Sequence, residues 1–391
     1  MNQNFSKFKQ RIAGFTLLTT VLISTNTYAE WSLSFLGTLE GTDSFAVDIN
    51  NLGQVVGSYS KSGIPGSRAF ITGPNGIGMT ALGTLDGGHT FATGINDSGQ
   101  VTGSSSLSNS FDLIHSFITG PNGAGMTDLG VLHEITGEYQ HVNNALDINE
   151  SGQVVGYEYH RDPHSESRPE LQAFMTGPNG VGITGMNVGE AKAINDSGQI
   201  VGSTTASGSL GSRAFITGPD GIGLTIIEEG LHGNSSWASA INNSGQVVIN
   251  SYLPGDMRAY VTGPNGVGIT ALGTLGGKTS NALDINESGQ IIGVSQIADG
   301  RYHAFLYSDG EMLDLSLLPA FINAGFIHMI NVTAINDHGQ IVGWGYPDGG
   351  SAQAFLLSPF PVPEPQTYAM LLAGLGILGF MAPRRKKLNL S

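Results

Sequence analysis

The chain has 391 residues and no cysteine, so disulfide frameworks, zinc–thiolate centres and cysteine nucleophiles are excluded. Its 31 Asp+Glu against 16 Lys+Arg give a formal charge of −15, and 58 glycines without a Gly-X-Y period exclude collagen and point to a turn-rich all-β chain. Seven of the cations lie in the two termini, which leaves the middle of the chain at −22; a surface this acidic repels nucleic acid.

Residues 1–29 form a three-part export signal. Lys7, Lys9 and Arg11 precede an apolar run from Ile12 to Ile23, and Thr27-Tyr28-Ala29 is a small-residue cleavage site. The run is too short to span a bilayer comfortably. It predicts delivery to the secretion translocon and cutting by signal peptidase between Ala29 and Glu30.

From residue 30 to 358 the chain repeats one phrase, Ile-Asn-x-x-Gly-Gln, followed by a β-branched run. The copies start at Ile49, Ile95, Ile148, Ile194, Ile241, Ile285 and Ile335. Short strands at a spacing of roughly 40–50 residues predict a propeller or a β-solenoid. In each unit an inner strand enters the Asn-x-x-Gly turn, and Gln opens a β-branched second strand. A third strand carries Ala-Phe or a close variant, as at Ala69-Phe70 and Ala304-Phe305. Its turn is often Thr-Gly-Pro-Asn/Asp-Gly-x-Gly, as at Thr72–Gly78. No Lys-Ser/Thr and helix follow, which excludes a phosphate-binding loop. A small residue three places before each Ile-Asn (Ala46, Ala92, Ala145, Ala191, Ala238, Ala282, with Val332 last) suits strands crowded at an axis.

Strand counting favours a closed ring. A fourth strand follows the first six third strands, for example at Leu82–Leu85 and Leu224–Glu228, but only Ser-Pro-Phe-Pro follows Phe355-Leu356-Leu357. The missing strand is Leu33–Leu39, at the start of the body. The expectation is therefore a seven-bladed β-propeller of repeats of about 46 residues, closed by the N-terminal strand.

Loops joining strands one to two and three to four are nearly uniform among the repeats; those on the opposite face vary. Variation on a rigid scaffold marks a recognition surface. The candidate ligand-face residues are Tyr139, His160, His164, Glu228 and Trp237, in the loops His133–Val142, Tyr157–Gln172 and Glu228–Trp237, with Pro319–Asn331 as a further loop. His160 and His164, with Asp162 and Glu166, have ligand chemistry, but His133-Glu134 lacks the second histidine of a zinc-protease helix. Asp48, Asp147 and Asp284 create Asp-x-Asn-x-x-Gly, a faint calcium-loop pattern without its further carboxylate, so these read as turns. No catalytic residue, metal ligand or cofactor is assigned, calcium remaining the one cation considered. No nucleophile elbow occurs.

Residues 359–366 are a proline-rich linker, and 367–391 an apolar run closed by Arg384-Arg385-Lys386-Lys387, read as a single short transmembrane helix with a cytoplasmic basic tail. Pro363-Glu364-Pro365, the apolar run and the basic cluster together resemble the PEP-CTERM sorting signal of Gram-negative bacteria. The resemblance implies recognition by an exosortase, a membrane transpeptidase, which removes the tail. The precursor would be tethered at the inner membrane and the product passed to the cell surface, outer membrane or exopolysaccharide matrix.

The body resembles the HAF-repeat family of extracellular proteins, through Leu272-Gly273-Thr274-Leu275-Gly276-Gly277, Ile285-Asn286, Gly289-Gln290 and His303-Ala304-Phe305. Only the sixth repeat has the full His-Ala-Phe, and the family carries no activity across. The reading is a non-enzymatic propeller that binds matrix glycan or a surface protein, or acts structurally there. A glycan-cleaving enzyme on the same scaffold is the alternative. Carboxylates with a Tyr or His around the axial opening would favour the enzyme; an axis of Ala, Gly and Ser would favour the binder.

Overall fold

The computed structural model describes residues 31–39, 41–60, 66–86, 88–107, 113–133, 140–161, 170–205, 211–231 and 233–360. Residues 31–359 form one compact unit, built almost wholly of antiparallel strands. The inner strands of successive repeats touch in a closed cycle: Ser44–Ile49, Thr90–Ile95, Gln140–Ile148, Glu190–Ile194, Ser235–Ile241, Gly276–Ile285 and Phe326–Ile335, the last returning to the first. Trp31–Phe35 pairs antiparallel with Gln353–Pro359, so the start of the body is the outer strand of the sheet that ends it.

The expectation of seven blades is corrected. The propeller has five separate four-stranded blades, and the strands of the second and third repeats share one eight-stranded sheet. The join is a short parallel pairing, His141↔Leu113 and Val142↔Ile114. The outer strand of the second repeat, Thr127–Asp128, is only two residues long and leaves the start of Leu113–Ile118 unpaired. The nine-residue inner strand Gln140–Ile148 reaches that open edge and takes up its free backbone groups.

The expected transmembrane helix is corrected too. Among the described residues no helix is long and apolar enough to cross a membrane; the α-helix Pro319–Asn323 has five residues, within what had been read as loop. The segment 367–391 lies outside the described residues, as do 1–30.

Alternation within each second strand explains the core. Val55 packs toward the seventh repeat, beside Ala46, Phe70, Val342 and Ala354, while Val56 packs toward the second, beside Ala69, Ala92 and Phe117. Both sheet faces are buried, so the strands read as continuous apolar runs rather than alternating ones. The small residue of each inner strand is buried in this seam, 0–2 % exposed, so contact with the neighbouring sheet rather than crowding at the axis requires it.

A bulge follows each small residue, as between Ala46 and Asp48. It drives an inner-strand carbonyl against the second strand. A Cβ at Gly57, Gly103, Gly156, Gly202, Gly293 or Gly343 would come within 2.0–2.2 Å of that oxygen. These glycines lie opposite the buried Phe70, Phe117, Phe174, Phe215, Phe305 and Phe355. The fifth repeat replaces the pair with Ile249 and Tyr260.

The outer strand of the first repeat starts before the leucines that the sequence suggested, Met79–Ala81 standing in place of Leu82–Leu85, whereas Thr225–Ile226 lies within the expected Leu224–Glu228. Leu82 still donates its N–H to Ala69, but Gly83 then turns the chain at φ +89° toward the next repeat.

Candidate functional site

Two ends of the ring hold concentrated polar chemistry. At the first, the Asn of Ile-Asn-x-x-Gly-Gln performs two tasks. Its Oδ1 accepts the N–H of the Gln four residues on, at 2.9–3.0 Å in all seven copies, closing its own turn. Its Nδ2 donates to the carbonyl of the next repeat's Asn at 3.0–3.1 Å, from Asn50 to Asn96 and onward through Asn149, Asn195, Asn242, Asn286 and Asn336 back to Asn50. The turn glycine has φ +72° at Gly53, where a Cβ would also sit 2.9 Å from the Asn75 nitrogen of the neighbouring turn.

The following residue closes a second ring. Asn51, Asp97, Glu150, Asp196, Asn243, Glu287 and Asp337 each take, on a side-chain oxygen, the backbone N–H of the preceding member, at 2.7–3.0 Å. Five are carboxylates. Burial first, then neighbouring acids, raises Glu150 (Asp97, Asp196) and Glu287 (Asp337, Asp196) above the usual range.

Asp48, Asp147 and Asp284 act as staples between repeats. Each bridges two inner strands: Asp48 accepts from Ile49 and Ile95, Asp147 from Ile148 and Ile194, and Asp284 from Ile285 and Ile335, all at 2.8–2.9 Å. Burial pushes Asp147 up to about 7 and Asp284 to about 6. Asp48 rises well above the normal range, through burial and then the charges of Asp284 and Asp147. Other seams use neutral groups: Thr93 donates to Ala145, Thr333 to Ala46, and Asn250 exchanges two bonds with Ala282. Among the described residues no group of three or more His, Asp or Glu could hold a metal.

The second end lies one step before the small residue. There the inner strands carry Phe45, Phe91, Asn144, Glu190, Trp237, Asn281 and Asn331, all half-buried. Phe45 meets Trp344 edge to face at 5.0 Å, and Trp344 meets Tyr346 at 5.8 Å. Asn144 donates to the Tyr157 hydroxyl at 3.1 Å. Asn331 Nδ2 is buried and has no hydrogen-bond partner among the described residues. Glu190, Lys192, Ser203, Ser212, Trp237 and Ala238 line a cavity of about 380 Å³. A wider groove of about 650 Å³ between the third and fourth repeats has Asp220 as its one ionisable residue.

The sequence candidates fare unevenly. Trp237 lies on the inner strand Ser235–Ile241 and in the cavity wall, not in a loop. His160 lies near the end of the strand Val154–Arg161, again not in a loop. Glu228 is exposed and pairs with Arg213 at 3.1 Å, which clamps a third strand to its outer neighbour, as His303 does with Asp314 at 2.7 Å. His133 pairs at 2.8 Å with the buried Glu158. Tyr139, His164, the cleavage residues Ala29 and Glu30, and the tail residues Pro363, Glu364, Pro365 and Arg384 to Lys387 lie outside the described residues. Sequence reasoning missed Phe45, Phe91, Glu190 and Lys192; the constant offset of the first three from Ile-Asn was the available signal, and Lys192 carried none.

Residues 361–386 match the family of the PEP-CTERM protein-sorting motif. The motif implies export, processing by exosortase and sorting to the cell surface. No curated protein matches the chain. Among solved structures, it is similar to the β-propeller domain of the trilobed protease from Pyrococcus furiosus (11 % identity, TM-score 0.50, covering 70 % of this chain and 82 % of that one). Oligogalacturonate lyase from Vibrio parahaemolyticus aligns at 11 % identity and TM-score 0.53, over 85 % of this chain and 94 % of that one. Acylaminoacyl peptidase from Pyrococcus horikoshii aligns at 8 % identity and TM-score 0.55, over 85 % of this chain but 56 % of that one. At these identities the likeness is one of fold alone: the chain carries a β-propeller together with an exosortase sorting motif.

Proposed function

We propose that the body is a non-enzymatic binding or structural module of the cell-surface or exopolysaccharide matrix, with matrix glycan as its ligand. The observation that carries this reading is the level of side chains before the small residues. Phe45, Phe91 and Trp237 offer apolar faces that suit the C–H face of a sugar ring, while Asn144, Asn281, Asn331 and Glu190 offer donors and acceptors for hydroxyls. Of the seven inner-strand residues described at that level only Glu190 is a carboxylate, whereas glycoside hydrolysis ordinarily needs two.

The domain scheme follows: a signal peptide over 1–29 cut between Ala29 and Glu30, a body over 30–358, a linker over 359–366 and the remainder of the sorting signal. The likeness to HAF-repeat proteins supports an extracellular setting. Tyr139, His160 and His164 remain candidate ligand-face residues on sequence grounds alone.

The five carboxylates of the second ring favour a glycan-cleaving enzyme as the other reading. Their oxygens, however, are engaged in holding neighbouring repeats together. Incubation of the secreted body with exopolysaccharide from its own bacterium tests both. Co-sedimentation at unchanged viscosity, reduced by Trp237→Ala, is expected. Falling viscosity would transfer the assignment to the enzyme, and absence of pelleting would remove this polymer as ligand.

A further inference from the structure

The propeller's two chain ends leave from one face, and that face carries a rim of exposed aliphatic side chains. Trp31 pairs with Pro359. Pro359 lies beside the Asn336–Gln340 turn: a Cβ at Gly339 would be 3.6 Å from its Cγ, and Gln340 Nε2 donates to Ser358 at 3.2 Å. Both ends therefore emerge at the face of the two hydrogen-bonded rings. The turns after the third strands share it, since Asn75 donates to Leu52 and Gly76 to Gly53.

At the tips of these turns, Ile77, Val181, Ile222 and Val267 are 72–75 % exposed, and Ala124 holds the same place in the second repeat. Each stands between two glycines, in extended conformation, with its N–H on the proline carbonyl. The preceding Asn or Asp has φ +54° in every copy, so the side chains project alike from successive repeats. A single exposed aliphatic side chain is ordinary; the signal here is the same placement, at the same turn position, in successive repeats.

We propose that this rim enters the surface of a zwitterionic lipid bilayer and turns the Trp237 end outward. Separate pegs of equal projection fit a fluid plane better than the shaped surface of a protein. Until the exosortase removes the tail, the sorting motif on the chain leaving this face holds the precursor at the membrane of that enzyme. The sorting motif begins at residue 361, directly after the last described residues. Tethering raises the local concentration of lipid, so each tip can bind weakly. The acidic ring inside the rim disfavours anionic lipid. The inference concerns the face opposite the glycan-binding level, so either can fail without the other.

The absence of cysteine makes the test clean. Single variants Ile77→Cys, Val181→Cys, Ile222→Cys and Val267→Cys of the full chain, with Ser351→Cys as a control on the other face, carry a fluorophore in phosphatidylcholine vesicles. Severalfold stronger quenching by nitroxide-bearing lipid at the four tips than at position 351, with the order reversed for aqueous iodide, is the expected result. Equal iodide quenching at tips and control, or equal lipid quenching at both, overturns the proposal. Replacing the four tips by Asp leaves the far-UV spectrum unchanged and lowers lipid quenching of a probe at Ala124→Cys; unchanged quenching also overturns it.

Discussion

The two faces of this propeller obey different rules. On one, each turn is bonded to its own strand and to the next repeat, so that Asn50, Asn51, Gly53 and Gln54 each meet a constraint set by a neighbour. On the other, the connections between second and third strands differ in length and composition, and the half-buried level beneath them mixes aromatic, amide and acidic groups. Repetition within one chain thus marks where repeats hold one another. Variation marks where the scaffold is free to meet something else.

The largest break in this contrast comes from the glycine seats that carry the constrained half. Gly103→Val would drive a side chain into the Phe91 carbonyl and the Phe117 ring, and is expected to abolish accumulation of folded protein. Soluble yield and circular dichroism check it.

Next is pH. Asp48, Asp147 and Asp284 have raised pKa values in the folded state, so between about pH 4, the unfolded value, and about 7 the folded protein binds more protons than the unfolded chain. Their contribution is full below that window and is lost as pH rises through it. Each pK unit is worth about 1.4 kcal/mol, so urea midpoints are expected to fall clearly from pH 4.5 to 7.5. Asp147→Asn flattens the slope; an unaltered slope would reject the assignment.

Asn149→Ala removes the turn cap and the bond to Asn195 together, leaving buried groups unpaired, at a cost of about 2–3 kcal/mol by chemical denaturation. Trp237→Ala, at the other end, is expected to cost binding more than stability: roughly tenfold in glycan affinity if it is the stacking residue. Glu228→Ala sets the floor, because an exposed pair with Arg213 contributes at most about 1 kcal/mol.

Much of the fold was legible because the repeat states it. Asn, Gly and Gln at fixed spacing announce a turn that only those side chains can close, and the odd strand at the start of the body announced its pairing with the last sheet. The blade count was not legible. Nothing in Leu113-Ile114 or His141-Val142 says that these segments will pair, since that depends on a short outer strand leaving an edge open within reach. The site was legible only as a region. Trp237 was singled out as the end of a variable loop, but its partners Glu190 and Lys192 lie 47 and 45 positions away and look like ordinary strand residues.

The sequence by itself determined the all-β class, the turn chemistry, the acidic body and the sorting address, because each depends on local conformational preference or on a linear motif. The tertiary structure decided the rest. It converted Asp48, Asp147 and Asp284 from apparent turn residues into bridges between repeats, joined the strands of the second and third repeats, and gathered Phe45, Phe91 and Trp237 at one level. These outcomes depend on distances between segments of different repeats, which closure of the ring sets and no local preference contains.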